Sequence, residues 1–167
     1  LDRCLGEYEK CRSQKTEINE QMILRLHSIL LSKIEGYEQY RGMWRPVNVM
    51  VRGSGHEFPH YNSVPLLMGE LLVWYGKNKS LIHPVELAAK FHTKFTTIHP
   101  FADGNGRMAR LIMNYILQKN RFPFSNIPLQ SRSTYMKTQA AGNEENHKPF
   151  TLFLVQEIIK QNRKLKE

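Results

Sequence analysis

Between Thr96 and Tyr115 the sequence reads TTIHPFADGNGRMARLIMNY, and within twelve consecutive positions of it fall His99, Asp103, Gly104, Asn105, Gly106, Arg107 and Arg110. A plain turn needs the glycines but not that density of ionisable groups. A site for an anion has a use for all of them. Apolar runs on both sides make the stretch a connection between two buried helices. It feeds into the N-terminus of the second, where backbone N–H groups and the positive end of the helix dipole attract negative charge. Gly104 and Gly106 permit positive φ and a close approach of backbone to phosphate. Arg107 and Arg110, three apart on a first helical turn, can aim fork-shaped donors at one anion.

Asp103 puts a carboxylate beside that anion position, which repels unless a cation joins the two. Mg²⁺, held by one or two carboxylates and phosphate oxygens, is the usual bridge. His99 opens the loop with a base that titrates near neutral pH and can take a proton from an incoming nucleophile. Pro100 and Phe101 read as anchors to the core. Each piece alone has a plainer reading: a core histidine, a Gly-Asn-Gly turn, an arginine pair in salt bridges. No Gly-Lys-Ser/Thr follows, as a P-loop requires, and no strand precedes, as a dinucleotide fold requires. The conjunction of base, metal ligand, phosphate cradle and cationic clamps points to phosphate chemistry.

Helices must position this loop. Leu87, Ala88, Phe91, Phe95 and Ile98 define the inner face of a helix over 83–98, with Pro84 at its first position. Met108, Leu111, Ile112, Tyr115 and Ile116 do the same for 105–119. Ile18, Met22, Leu26, Ile29 and Leu30 predict an amphipathic helix ending near Gly36. Leu67, Leu71, Trp74 and Tyr75 supply the buried side of a helix beginning around Ser63, and two more helices fit 131–141 and 148–163. Cys4 and Cys11 share a face of a first helix and read as half-buried thiols, forming neither a disulfide framework nor a zinc cluster. One stretch reads as strand: VNVMV (47–51), with the glycines of RGSGHEFPHY as the turn of a hairpin that must lean on the helices. His56 and His60 in that segment lack the further ligands a metal site needs.

The chain of 167 residues has room for one domain, 1–167, and its start at Leu1 without methionine leads us to expect a fragment of something longer. With 41% apolar and 23% charged residues it belongs to the soluble globular class, and no apolar run approaches the ~20 residues of a membrane span. The formal charge of +9 suits a phosphate-bearing partner, nucleotide or nucleic acid, and equally a merely soluble surface. Basic residues are scattered, and zinc-finger, RNP and helix-turn-helix signatures are absent, so neither nucleic acid nor a membrane is the expected partner.

The run HPFADGNGRMAR resembles the signature of the Fic family (filamentation induced by cAMP), H-P-F-x-[D/E]-G-N-G-R-x-x-R, at every fixed position from His99 to Arg110. The resemblance extends over about 19–160. It implies an all-α fold, a Fic-type helical bundle with one small β-hairpin flap, in a cytoplasmic protein. It implies a protein adenylyltransferase, moving AMP from ATP to a hydroxyl side chain of a target protein and releasing pyrophosphate. By that resemblance His99 is the base, Asp103 holds Mg²⁺, and Gly104, Asn105 and Gly106 form the anion hole. Arg107 and Arg110 would then hold the β- and γ-phosphates. Residues 47–61 are similar to the family's flap, which pairs with the target as an added strand; Val49, Met50, Val51, Arg52 and Gly53 are its expected contacts. The run RSTYMKTQAAGN (132–143) resembles the region that lines the adenine and ribose pocket, with Tyr135 and Asn143 as candidates.

Kinase-like Doc relatives carry lysine where this chain has Gly106, and phosphocholine-transferring relatives can carry alanine where it has Gly104; AMP transfer is therefore expected first. The alternatives are a kinase-like transfer and a non-catalytic nucleotide- or nucleic-acid-binding module. The family's inhibitory pattern, [S/T]-x-x-x-E-[G/N], is met neither by TEINEQ (16–21) nor by SKIEG (32–36). Three alternatives stay open: an inhibitory helix outside this chain, a separate antitoxin protein, or no such restraint; a homodimer is compatible with the resemblance.

Overall fold

Seven α-helices form among the residues described by the computed structural model, which are 2–14, 16–50, 57–142 and 146–164. In chain order they are α1 (Asp2–Ser13), α2 (Glu20–Leu30), α3 (Val64–Asn78), α4 (Pro84–Ile98), α5 (Asn105–Lys119), α6 (Arg132–Gly142) and α7 (Lys148–Lys164). The all-helical expectation holds for these residues. None of the helices is long and apolar enough to cross a membrane.

The centre is the pair α4–α5, the helices that the site loop joins. Leu87, Ala88, Phe91 and Phe95 of α4 are completely buried, as are Met108, Ala109, Ile112, Met113 and Ile116 of α5. Burial of each large side chain contributes on the order of 1.5–3 kcal/mol. α3 and α7 pack on α4, α6 pairs with α7, and α1 reaches both α2 and α5. Starts are fixed locally. The Asn19 side chain accepts the Met22 N–H at 2.9 Å to cap α2, and Pro84 sits in the first turn of α4 with His83 capping it. Polar pins then set how the helices sit. The Tyr115 hydroxyl donates towards the carbonyls of Cys11 (3.0 Å) and Thr16 (2.6 Å), holding the α1–α2 connection against α5. The Asn114 amide exchanges two hydrogen bonds with the Ser125 backbone, fixing the chain after α5.

Three details differ from the sequence expectations. α2 stops at Leu30, not near Gly36, because the buried Leu31 caps it, bonding its N–H to the His27 carbonyl at 3.0 Å. Gly36 lies beyond, at φ 81°, within the turns that follow. On α3 the fully buried residues include Val64 and Met68, while Leu67 and Trp74 only pack against the core from its edge. Residues 47–50 and 57–60 adopt no strand, and the remainder of the expected hairpin, 51–56 with Val51, Arg52, Gly53 and His56, lies outside the described residues. Cys11 is a buried free thiol whose pKa burial raises; the Cys4 side chain also lies outside the described residues.

Candidate active site

α4 ends at His99, which takes the left-handed conformation (φ 52°, ψ 59°) while its N–H still bonds the Phe95 carbonyl at 3.0 Å. A non-glycine residue there costs on the order of 1–3 kcal/mol and persists only where its surroundings fix it. They do so from several directions. The His99 carbonyl accepts from Arg45 Nε at 2.8 Å, and the next carbonyl, of Pro100, accepts the Arg45 N–H at 2.9 Å. At the far end of the loop, Asn105 turns its amide inward and bonds both the N–H (2.9 Å) and the carbonyl (2.7 Å) of Phe101. The ring of Phe101 is completely buried and lies flat on His27, centroids 3.6 Å apart.

The imidazole of His99 is half-buried, with its ring 4.1 Å from that of Phe58 and Nδ1 3.4 Å from the Thr96 carbonyl. A neutral ring with its proton at Nδ1 presents Nε2 as its basic atom. Across the loop, α5 begins at Asn105 with Gly104 as cap at φ 82°. This glycine requires the left-handed region; a Cβ would also meet Leu31 and His27 at about 3.5 Å. Gly106, for which positive φ was the expectation, is instead helical. A Cβ there would stand 3.4 Å from Arg110 Nη1, an ordinary contact with the movable end of a side chain, so the fold itself has room for one. The N–H groups of Asn105, Gly106 and Arg107 open the helix and have no carbonyl within it to bond.

The two arginines diverge. Arg107 pairs with Asp103 at 2.6 Å, both side chains more than a third exposed. Arg110 lies over the Tyr135 ring and donates to its hydroxyl at 3.4 Å. Tyr135 is buried, and its hydroxyl also meets His92 Nε2 at 3.0 Å, so the tyrosine expected at the adenine pocket supports Arg110 from its buried side. Asn143 lies outside the described residues. Of the expected target contacts, Val49 is half-buried and Met50 is 90% exposed. The ring of His60 caps a short turn by accepting the Asn62 N–H at 3.3 Å.

Three supporting residues went unread in the sequence: His27, Arg45 and His92. His27 accepts the Gly42 N–H at Nδ1 (3.1 Å), so its proton sits at Nε2 and is donated to the Asp103 carbonyl, also at 3.1 Å. Burial pushes its pKa down to about 4, and burial with the nearby Arg110 pushes that of His92 down to about 3; both rings stay neutral. The available signal was position: each lies on the apolar face of its helix, next to Leu26 or Phe91, where a polar group must find a partner.

The chain matches the model of the Fic/DOC family over residues 17–117, and it belongs to that family. It is 39% identical over 142 residues to the protein adenylyltransferase Fic of Drosophila grimshawi, a match covering 84% of this chain and 29% of that protein. The chain therefore spans less than a third of the length of this relative. Among solved structures it resembles Fic-1 of C. elegans (residues 134–508), with TM-score 0.85 and 26% identity over 98% of this chain and 48% of that one. IbpAFic2 in complex with adenylylated Cdc42 shares the fold, with TM-score 0.71 and 22% identity over 96% of this chain and 54% of that one.

Proposed function

We propose that this chain is a protein adenylyltransferase, transferring AMP from ATP to a hydroxyl side chain of a target protein. One observation carries the reading: a histidine held in a left-handed turn opens a short loop that leads directly into the first turn of a helix bearing two arginines. The target hydroxyl loses its proton to Nε2 of His99 as its oxygen attacks the α-phosphorus. The bond to the β-phosphate breaks and pyrophosphate leaves. The N–H groups at the start of α5 bind phosphate oxygens, and Arg107 and Arg110 hold the β- and γ-phosphates.

Asp103 suits Mg²⁺ of a particular kind. It is the loop's one carboxylate, partly exposed, and among the described residues no group of three or more His, Cys, Asp or Glu could hold an ion alone. That fits an ion carried in with the nucleotide, which would neutralise charge on the departing pyrophosphate. Arg107, now paired with Asp103, is then released to phosphate.

The segment 47–61 receives the target, with Val49, Met50, Val51, Arg52 and Gly53 as contacts in a β-hairpin flap; the exposure of Met50 supports this. Tyr135 and Asn143 belong to the nucleotide pocket, Tyr135 through its hold on Arg110. The relative named a protein adenylyltransferase, and the shared fold of a structure holding an adenylylated target, support the same reading. It also includes a cytoplasmic setting and restraint by an inhibitory helix elsewhere or by an antitoxin. The test is incubation with α-labelled ATP, Mg²⁺ and a cell lysate, beside His99→Ala. Label on protein with the intact chain alone is the expected result. Transfer of γ-label in place of α-label would replace the reading with a kinase-like one, and transfer of neither would leave a binding module.

A further inference from the structure

Arg45 is 2% exposed, and its guanidinium donates to three backbone carbonyls. Burying a cation is costly unless each donor is well placed, and a simple structural tie could be made by a neutral amide. The three acceptors come from three stretches of chain. Nε reaches His99 (2.8 Å), one Nη reaches Val47 (2.9 Å), and the other reaches Pro59. Val47 and Pro59 bracket the segment expected to present the target, and Pro59 follows Phe58, whose ring rests on the His99 imidazole. Arg45 thus holds the backbone of His99 and, through Pro59 and Phe58, a face of its ring.

We infer that Arg45 is a positioning residue: its planar fork sets where His99 stands relative to both ends of the segment at 47–59. The inference rests on the proposed transfer reaction for its kinetic consequence, but not for its structural one. Lysine keeps the charge and cannot span three carbonyls in one plane, so it should not substitute. Displacing a reacting group by about 1 Å costs up to about 100-fold in rate, so a loss of about tenfold or more is expected.

The experiment compares the intact chain with Arg45→Lys, Arg45→Gln and Arg45→Ala by three readouts. These are transfer of α-label to lysate protein, affinity for ATP with Mg²⁺ by calorimetry, and amide hydrogen exchange. Expected are faster exchange confined to residues 47–50, 57–60 and 99–101, ATP affinity within about twofold, and transfer down about tenfold or more. Guanidinium ion added to Arg45→Ala should restore protection and transfer together. Native transfer by Arg45→Lys or Arg45→Gln would overturn the inference. So would lost ATP affinity, or exchange raised across α3 and α7 as well. If the intact chain transfers no label while the local exchange change appears, the transfer reading fails and the positioning role stands.

Discussion

Two segments meet at the His99 imidazole, and they are built in opposite ways. The loop from His99 to Gly104 joins two buried helices and is fixed nearly residue by residue: Arg45 on two carbonyls, Asn105 on Phe101, His27 on Asp103. The segment entering at Val47 and returning at Phe58 has no regular structure over 47–50, leaves Met50 in solvent, and is tied near its ends by the Arg45 guanidinium and by Asn48, whose Oδ1 accepts the Tyr61 N–H at 3.0 Å. Under the proposed function the difference is useful: a nucleotide has one shape and suits a rigid site, whereas a protein target would bring a backbone of its own to an edge whose main-chain groups are left for it.

If that contrast is right, the largest loss should come from Asn105→Ala, which strands the N–H and carbonyl of the buried Phe101. We expect a cost of about 2–4 kcal/mol in urea unfolding, with transfer lost as well. A cost near zero would mean that the loop holds without its amide staple.

Next in size is acidification. The folded-state pKa of His92, about 3, lies below the ordinary 6.5, so below that value the unfolded chain binds the extra proton. Stability from this group is complete above pH 6.5 and falls on acidification by up to about 1.4 kcal/mol per pH unit. His92→Leu should flatten the slope between pH 6 and 4 relative to the intact chain. An unchanged slope would show that the ring is already charged.

The left-handed turn at His99 gives a smaller effect. His99→Gly should be more stable than His99→Ala by about 1 kcal/mol, with both inactive. Equal stabilities would remove the claim of backbone strain.

Smallest of all is the exposed edge. Met50→Asp should move stability by less than about 0.5 kcal/mol while lowering transfer to protein severalfold. A large destabilisation would mean that this segment is part of the framework.

The same contrast explains what could be read beforehand. The helices around the loop were legible because apolar residues recur with the period of a helix, and Asn105–Lys119 falls at the expected bounds. The loop's chemistry was legible because its residues are contiguous. Its supports were not. His27 meets Asp103 from 76 positions away and Arg45 meets His99 from 54, and a single polar residue carries no mark of a partner so distant. Gly104 and Gly106 looked alike in sequence; one supplies a left-handed cap and the other is an ordinary helical residue, a difference set by the helix starting between them. The end of α2 was misplaced because Gly36 is the more conspicuous stop, whereas Leu31 ends the helix by tertiary burial.

The ion pair between Asp103 and Arg107 has a consequence for selectivity. At rest the loop is electrically self-contained, its acid and its base each occupied by the other. A bare anion offers Arg107 little that Asp103 does not already provide, and would leave the carboxylate stranded. An anion that arrives with its own cation satisfies both partners in one exchange. Under the proposed function the pair would favour a metal-bearing nucleotide over a bare phosphate, by no more than the roughly 1 kcal/mol that so exposed a pair contributes.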